Sequence, residues 1–209
     1  MKKYAAEKEN SGEVFIDMNA IRLQVLISGI GGQGVLFLTR VLTQSALNQG
    51  LEVISSETHG MAMRGGTVIS HVKVGAFRSP LIRSGSADVL MALDSVHAGD
   101  FMRLVREGGN VILNGKGARP RAPATDKREM SIDATGIASE MGAPQASNIV
   151  LLGFALARKA LFCNLETAES AIKQITQQQR LDTNLKALRA GFSRGQAHTD
   201  CRGCRVLKE

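Results

Sequence analysis

Three short stretches of this sequence hold residue types and spacings that could do chemistry. The first is Gly29-Ile30-Gly31-Gly32-Gln33-Gly34, a Gly-x-Gly-x-x-Gly spacing between an apolar run, Leu23 to Ser28, and a helical pattern from Val35 to Leu47. Glycines allow a tight turn and a close approach of ligand to backbone, and amides at a helix start attract a phosphate or another anion. The same spacing also serves to pack a helix on a strand. The second stretch is the polar loop Ser56 to Gly66. Glu57 stands near the place where the dinucleotide fingerprint puts a ribose-binding acid. Glu57 or His59 could move a proton. Arg64, followed by Gly65 and Gly66, could offer its planar fork to a carboxylate or phosphate. Thr58, Gly60 and the adaptable Met61 and Met63 suit a docking surface equally well. The third stretch is His198-x-x-Cys201-x-x-Cys204. It offers three donors where a structural zinc takes four. An iron–sulfur cluster generally takes four cysteines, and the whole chain has three. No metal site within the chain is therefore expected. Cys163 reads as a small buried hydrophobe. His71, His97, Asp88 and Asp94 read as structural residues.

The surrounding pattern says which elements must hold these groups. Strand, glycine turn, helix and a second strand at Leu51 to Ser55 make a crossover unit, which implies parallel strands and a right-handed connection. The 56–66 loop then lies at the carboxyl end of the sheet, where ligands bind in open α/β folds. Further strands are expected at 67–74, 88–94, 110–114 and near 130–132. Helices are expected at 97–106, 135–141, 147–161, 166–177 and 181–191. Gly50, Gly108-Gly109 and Gly191 read as stops. Residues 115–128 form a basic loop. The expected organisation is a flexible arm at 1–20, one domain at 21–193 and a flexible basic tail at 194–209. The fold class is α/β, a mostly parallel open sheet with helices on both faces.

Composition excludes several classes. At 44% hydrophobic and 22% charged residues the chain is too apolar for a disordered protein. No apolar run reaches the roughly 18–20 residues of a membrane span, and no secretory signal begins the chain, so a cytoplasmic protein with no membrane partner is expected. Seven Phe, one Tyr and no Trp give little for bases to stack on, which argues against a nucleic-acid partner. The net charge of +7 favours an anionic partner without naming one.

Taken together, the Gly29-to-Val35 turn, the Glu57-Thr58-His59-Gly60-Met61-Ala62-Met63-Arg64-Gly65-Gly66 loop and Asn148-Ile149-Val150-Leu151-Leu152-Gly153 resemble one family. It is the gamma-type (domain III) component of the 2-oxoacid:ferredoxin oxidoreductases, and the form of the loop is similar to the indolepyruvate ferredoxin oxidoreductase branch. The likeness covers about residues 22–193. It implies a non-autonomous subunit, inactive alone, of a complex that oxidatively decarboxylates a 2-oxoacid to an acyl-coenzyme A and passes electrons to ferredoxin. Thiamine diphosphate, Mg and the iron–sulfur clusters would sit in a larger partner subunit, with coenzyme A as co-substrate. This chain would hold no cofactor tightly. By the resemblance, Gly29, Gly31, Gly32, Gln33, Gly34, Glu57, Thr58, His59, Gly60, Arg64, Gly65, Gly66 and Asn148 would form the coenzyme or partner face. The resemblance carries no role onto His198, Cys201 and Cys204. The residues alone leave two other readings open: a stand-alone dinucleotide-binding oxidoreductase, and a regulatory binding module.

Overall fold

The computed structural model describes residues 21–58, 66–117 and 126–200, with only the backbone of Thr58 and of 198–200. The expected arm at 1–20, the loop residues 59–65, the basic-loop residues 118–125 and Cys201 and Cys204 lie outside those residues.

Six strands form one sheet. They are β1 (Leu23–Ile30), β2 (Val53–Thr58), β3 (Thr67–Val74), β4 (Ala87–Ala92), β5 (Val105–Asn114) and β6 (Arg128–Ile132), in the order β2-β3-β1-β4-β5-β6. The pairs β1/β4, β4/β5 and β5/β6 are parallel, while β3 is antiparallel to both β1 and β2. Five strands therefore run one way. β1 and β2 are parallel, as a crossover unit requires, but they are not neighbours, because β3 returns from the 59–66 loop and inserts between them.

Alternation along the strands sorts side chains onto two faces. Val25, Ile27, Val89, Met91 and Ile112 share a core with the α-helices. These are α1 (Val35–Asn48), α2 (Ala134–Glu140), α3 (Ser147–Ala157), α4 (Leu165–Ile175) and α5 (Gln178–Asp200). Leu26, Leu90, Ala92, Val111 and Leu113 face the other way and meet Ala98 and Met102 of a single 3-10 segment, Ala98–Leu104. Both faces carry helix, very unequally. Both are buried at the centre, which explains why β1 and β4 read as unbroken apolar runs. Among the described residues no helix is long and apolar enough to cross a membrane.

Several expected element ends move: β2 runs on to Thr58 and α5 begins at Gln178, and three other ends move for a local reason. The 97–106 helix is the 3-10 segment, and the chain is extended from Val105. Gly108 (φ +64°) and Gly109 lie inside β5, beside a register shift between Ala87 and Val89. They accommodate a bulge rather than stop a helix. Helix α3 ends at Ala157, not Leu161, because Lys159 turns left-handed at φ +53°. Helix α5 passes through Gly191 and Arg194 to Asp200. The tail expected from 194 is therefore helical over its first seven residues, 194–200. Gly191 is there for packing: a Cβ on it would overlap the Val150 carbonyl of α3, as one on Gly153 would overlap the Leu188 carbonyl of α5.

Candidate functional site

The glycine turn follows β1 at the carboxyl edge of the sheet. Its own side chain closes it: the Ile30 N–H donates to Gln33 Oε1 (2.8 Å), and the Gln33 N–H donates to the Ile30 carbonyl (3.0 Å). Gly32 (φ +99°) and Gly34 (φ +84°) take backbone conformations that a side chain would strain. Gly29 is required by crowding, since a Cβ there would lie 2.9 Å from Gln33 Oε1 and 3.1 Å from Leu93 Cβ. The Gly31 N–H donates to the Gly66 carbonyl (3.0 Å), so the turn is tied to the far end of the 56–66 loop. Three turn amides are thus committed internally, those of Ile30, Gly31 and Gln33. The amides of Val35 and Leu36 at the start of α1 have no partner within the helix, as at any helix start.

Asn148, near the start of α3, is the turn's other support. It is only 4% exposed. Its Nδ2 donates to the Gly34 carbonyl (3.3 Å), and its Oδ1 accepts the Ile149 N–H (2.9 Å). A Cβ on Gly34 would overlap that Nδ2. The glycine turn, Gly66 and Asn148 therefore meet at one place. Glu57 does not join them. It pairs with Ser70 across β3, which separates β2 from β1. One intervening strand adds about 5 Å to its distance from the turn. Thr58 pairs with Ile69 at the end of β2. His59, Gly60, Arg64 and Gly65, and the His198 side chain, lie outside the described residues. Among the described residues no cluster of His, Cys, Asp and Glu suits a metal ion.

Two clefts flank the turn. One, of about 460 Å³, is mostly apolar and is walled by Ile30, Val35, Leu36, Phe37 and Val68. The other, of about 540 Å³, lies between the turn, the start of α3 and the junction of α4 with α5. Gly32, Gly34, Phe37 and Arg40 border both. Arg40 and Arg180 were not signalled by any motif. Arg40 sits one helical turn after Phe37, and Arg180 reaches the same cleft from a segment 140 residues later.

A further pair borders the same edge. The Leu93 N–H donates to the Ser28 carbonyl (2.8 Å), which sets the segment after β4 beside the turn after β1. Asp94 Oδ1 accepts the His97 backbone N–H (3.0 Å) and lies 2.9 Å from His97 Nδ1. Partial burial pushes the Asp94 carboxyl up, and the bonds from His97 more than offset it, so it titrates below the ordinary carboxylate value. The chain leaves β1 toward the α-helical face and leaves β4 toward the 3-10 face. Such a reversal opens a crevice at the carboxyl edge. The described residues there can bind, orient and dock. Asp94 and His97 form the one acid–imidazole pair among them.

The family model for pyruvate ferredoxin/flavodoxin oxidoreductase matches residues 24–194. The chain belongs to this family. Among curated relatives, the indolepyruvate oxidoreductase subunit IorB of Archaeoglobus fulgidus is 33% identical over 191 residues, 83% of this chain and 95% of the relative. The keto/oxoacid ferredoxin oxidoreductase gamma subunit of Geobacter sulfurreducens superposes with a TM-score of 0.69 at 25% identity, over 84% of this chain and 99% of that one. A 2-oxoglutarate:ferredoxin oxidoreductase of Magnetococcus marinus, with 2-oxoglutarate, coenzyme A and succinyl-CoA bound, shares the fold. Its TM-score is 0.72 at 19% identity, and the match covers 84% of this chain but 31% of that one. The same α/β unit thus occurs as a separate small subunit and as part of a larger chain. The relatives are subunits of multi-subunit 2-oxoacid oxidoreductases.

Proposed function

We propose that this chain is the small subunit of a cytoplasmic complex that oxidatively decarboxylates indolepyruvate or a related aryl 2-oxoacid. The products are an acyl-coenzyme A and electrons for ferredoxin. The carrying observation is the pinned glycine turn with its two clefts, in a chain 33% identical to an indolepyruvate oxidoreductase subunit along 95% of that relative. A larger partner supplies thiamine diphosphate, Mg and the iron–sulfur clusters. The donor chemistry here fits that division, since the turn and clefts offer amides, amides of side chains and guanidinium groups rather than thiolates. This chain presents its carboxyl edge to the partner and to the coenzyme A side of the reaction.

The stand-alone dinucleotide reading is disfavoured by β3. The fingerprint needs its acid on the strand next to the glycine turn, and Glu57 is one strand too far. The test is an anaerobic pull-down of the tagged chain from its own cells. The eluate is assayed for thiamine- and coenzyme A-dependent dye reduction with indolepyruvate. Co-elution of a larger iron–sulfur subunit with that activity is the expected outcome. A chain that elutes alone would sink the proposal.

A further inference from the structure

The edge opposite the glycine turn carries positive charge that the fold itself does not balance. From Gly66 to Ala87 the sequence holds Lys73, Arg78 and Arg83 and no Asp or Glu. Lys73 lies in β3 and is only 6% exposed, and its ammonium has no ion-pair partner among the described residues. Its neighbours are cations. Lys73 Nζ and the Arg22 guanidinium stand over the same Phe77 ring, 5.1 and 4.6 Å from its centroid. Burial, followed by the charge of Arg83, holds the lysine below its ordinary pKa. The carboxylates on either side do not relieve it. Asp88 of β4 is taken by Arg106 (2.7 Å) and by the Gln24 N–H (2.8 Å). Glu52, just before β2, makes no ion pair among the described residues. A buried ammonium without a counter-charge is costly, and a methionine would fill the same space without that cost. Leu81, between Arg78 and Arg83, is 54% exposed. The bond from the Ile82 N–H to His71 Nδ1 holds that stretch against β3. An apolar side chain thus stands among positive charges, a small version of the apolar centre and polar rim of a protein interface.

We propose that this edge docks an acidic segment of another protein, with one of its carboxylates seated between Arg22, Lys73 and Arg83 and an apolar neighbour on Leu81. Charge complementarity selects the occupant. A second copy of this chain brings a net charge of +7 and is repelled. A nucleic acid gains little, because the ring on which a base would stack already holds two cations. The larger subunit belongs at the carboxyl edge, so the acidic protein is a different one. That clause alone rests on the proposed function, and the seat itself stands on the geometry.

The probe is a fluorescein-labelled polyglutamate peptide with one central leucine. Its anisotropy is followed at low salt with the full chain and with the assembled complex, beside a single-stranded oligonucleotide of equal charge. Lys73→Met and Arg83→Met are each expected to weaken peptide binding about tenfold, the equivalent of one charge-assisted hydrogen bond. Leu81→Ser should weaken it about threefold and leave a leucine-free peptide unaffected. A control with Lys116→Met and Lys173→Met together removes the same charge as the Lys73→Met, Arg83→Met double variant, from exposed positions elsewhere. It should change binding by no more than about twofold. Lys73→Met should melt no lower than the parent, because it removes an unbalanced buried charge. Arg83 is exposed, so its variant tests the seat without touching the core. Equal losses in the control and in the seat variants would reduce the effect to net charge and overturn the seat. Tighter binding of the oligonucleotide, or a dimer that Lys73→Met abolishes, would overturn it too. So would peptide binding that appears only once residues 1–20 are removed, which would give the seat to the chain's own Glu13 and Asp17. Peptide binding to the free chain and not to the complex would show that the larger subunit covers this edge, and would overturn the assignment to a separate protein. A chain that elutes without a larger subunit would sink the proposed function, and the peptide titration would still decide the seat.

Discussion

Gly34 answers to two constraints at once, a left-handed backbone and an Asn148 amide where a Cβ would stand. Left-handed backbone costs an alanine about 1–2 kcal/mol, and overpacking adds about 1–3 kcal/mol. Gly34→Ala should therefore lower stability by about 2–5 kcal/mol, read from urea denaturation. In the Gly34→Ala, Asn148→Ala double variant the second substitution removes the clash. The combined loss should be smaller than the sum of the single losses. Strict additivity would show that the two residues do not touch. His71 carries a prediction of pH dependence. It is buried in β3, its Nδ1 accepts the Ile82 N–H, and burial followed by the charge of Lys73 holds its pKa below the ordinary histidine value. The unfolded chain then binds the proton more readily than the native one. Stability is full above about pH 6.5 and falls as the pH drops from there toward the native pKa. His71→Gln should flatten that part of the curve, and an unchanged pH profile would refute the assignment. At this scale the sequence was legible wherever residue type alone dictates conformation. Gly29, Gly32 and Gly34 announce a turn because nothing else fits. Asn148 is marked only by the family resemblance, and Arg180 carries no mark at all, since its place at the cleft depends on segments far away in the chain.

Helices α3 and α5 cross closely enough that their glycines face opposing carbonyls, Gly153 against Leu188 and Gly191 against Val150. Intrinsic propensity and packing then pull a Gly191→Ala substitution in opposite directions. Alanine gains about 1 kcal/mol as a helix former. Against that, the new methyl must push two backbones apart, which costs about 3 kcal/mol or more. Packing should win by about 2 kcal/mol, a fall in Tm of several degrees for a chain of this size. A rise in Tm would show that the crossing is looser than described. The same balance explains a misplaced boundary. A glycine after an apolar repeat reads as a stop, and only the contact with α3 shows that Gly191 and Gly195 belong inside a longer helix. Position was otherwise legible where periodicity is strong: β1, α1, β3 and α4 lie within two residues of where the pattern puts them. What periodicity cannot convey is strand order, so the insertion of β3 between β1 and β2 had no signal in either strand.

For the molecule as a whole, five strands running one way gather the chain's recognisable chemistry at one edge. The glycine turn after β1, the end of β2 at Thr58, the start of β3 at Thr67, the Asp94–His97 pair after β4 and the cleft lined by Arg40 and Arg180 all lie there. The opposite edge holds the 75–86 connection, where Phe77 packs under Arg22 and Lys73 with centroid distances of 4.6 and 5.1 Å. If the larger subunit completes the reaction, it must reach the first edge. Buried amides exchange slowly when a partner covers them, so hydrogen exchange can locate the contact. Compared with the free chain, the assembled complex should show the greatest added protection in peptides spanning 29–37, 56–66 and 175–184. Peptides spanning 75–86 should change little. The carbonyl of Gly66 already holds the Gly31 amide, so a partner that covers Gly66 should protect the turn with it. Protection concentrated at 75–86, with the glycine turn unaffected, would place the partner on the wrong edge for the chemistry. The carboxyl-edge account of this subunit would then have to be abandoned.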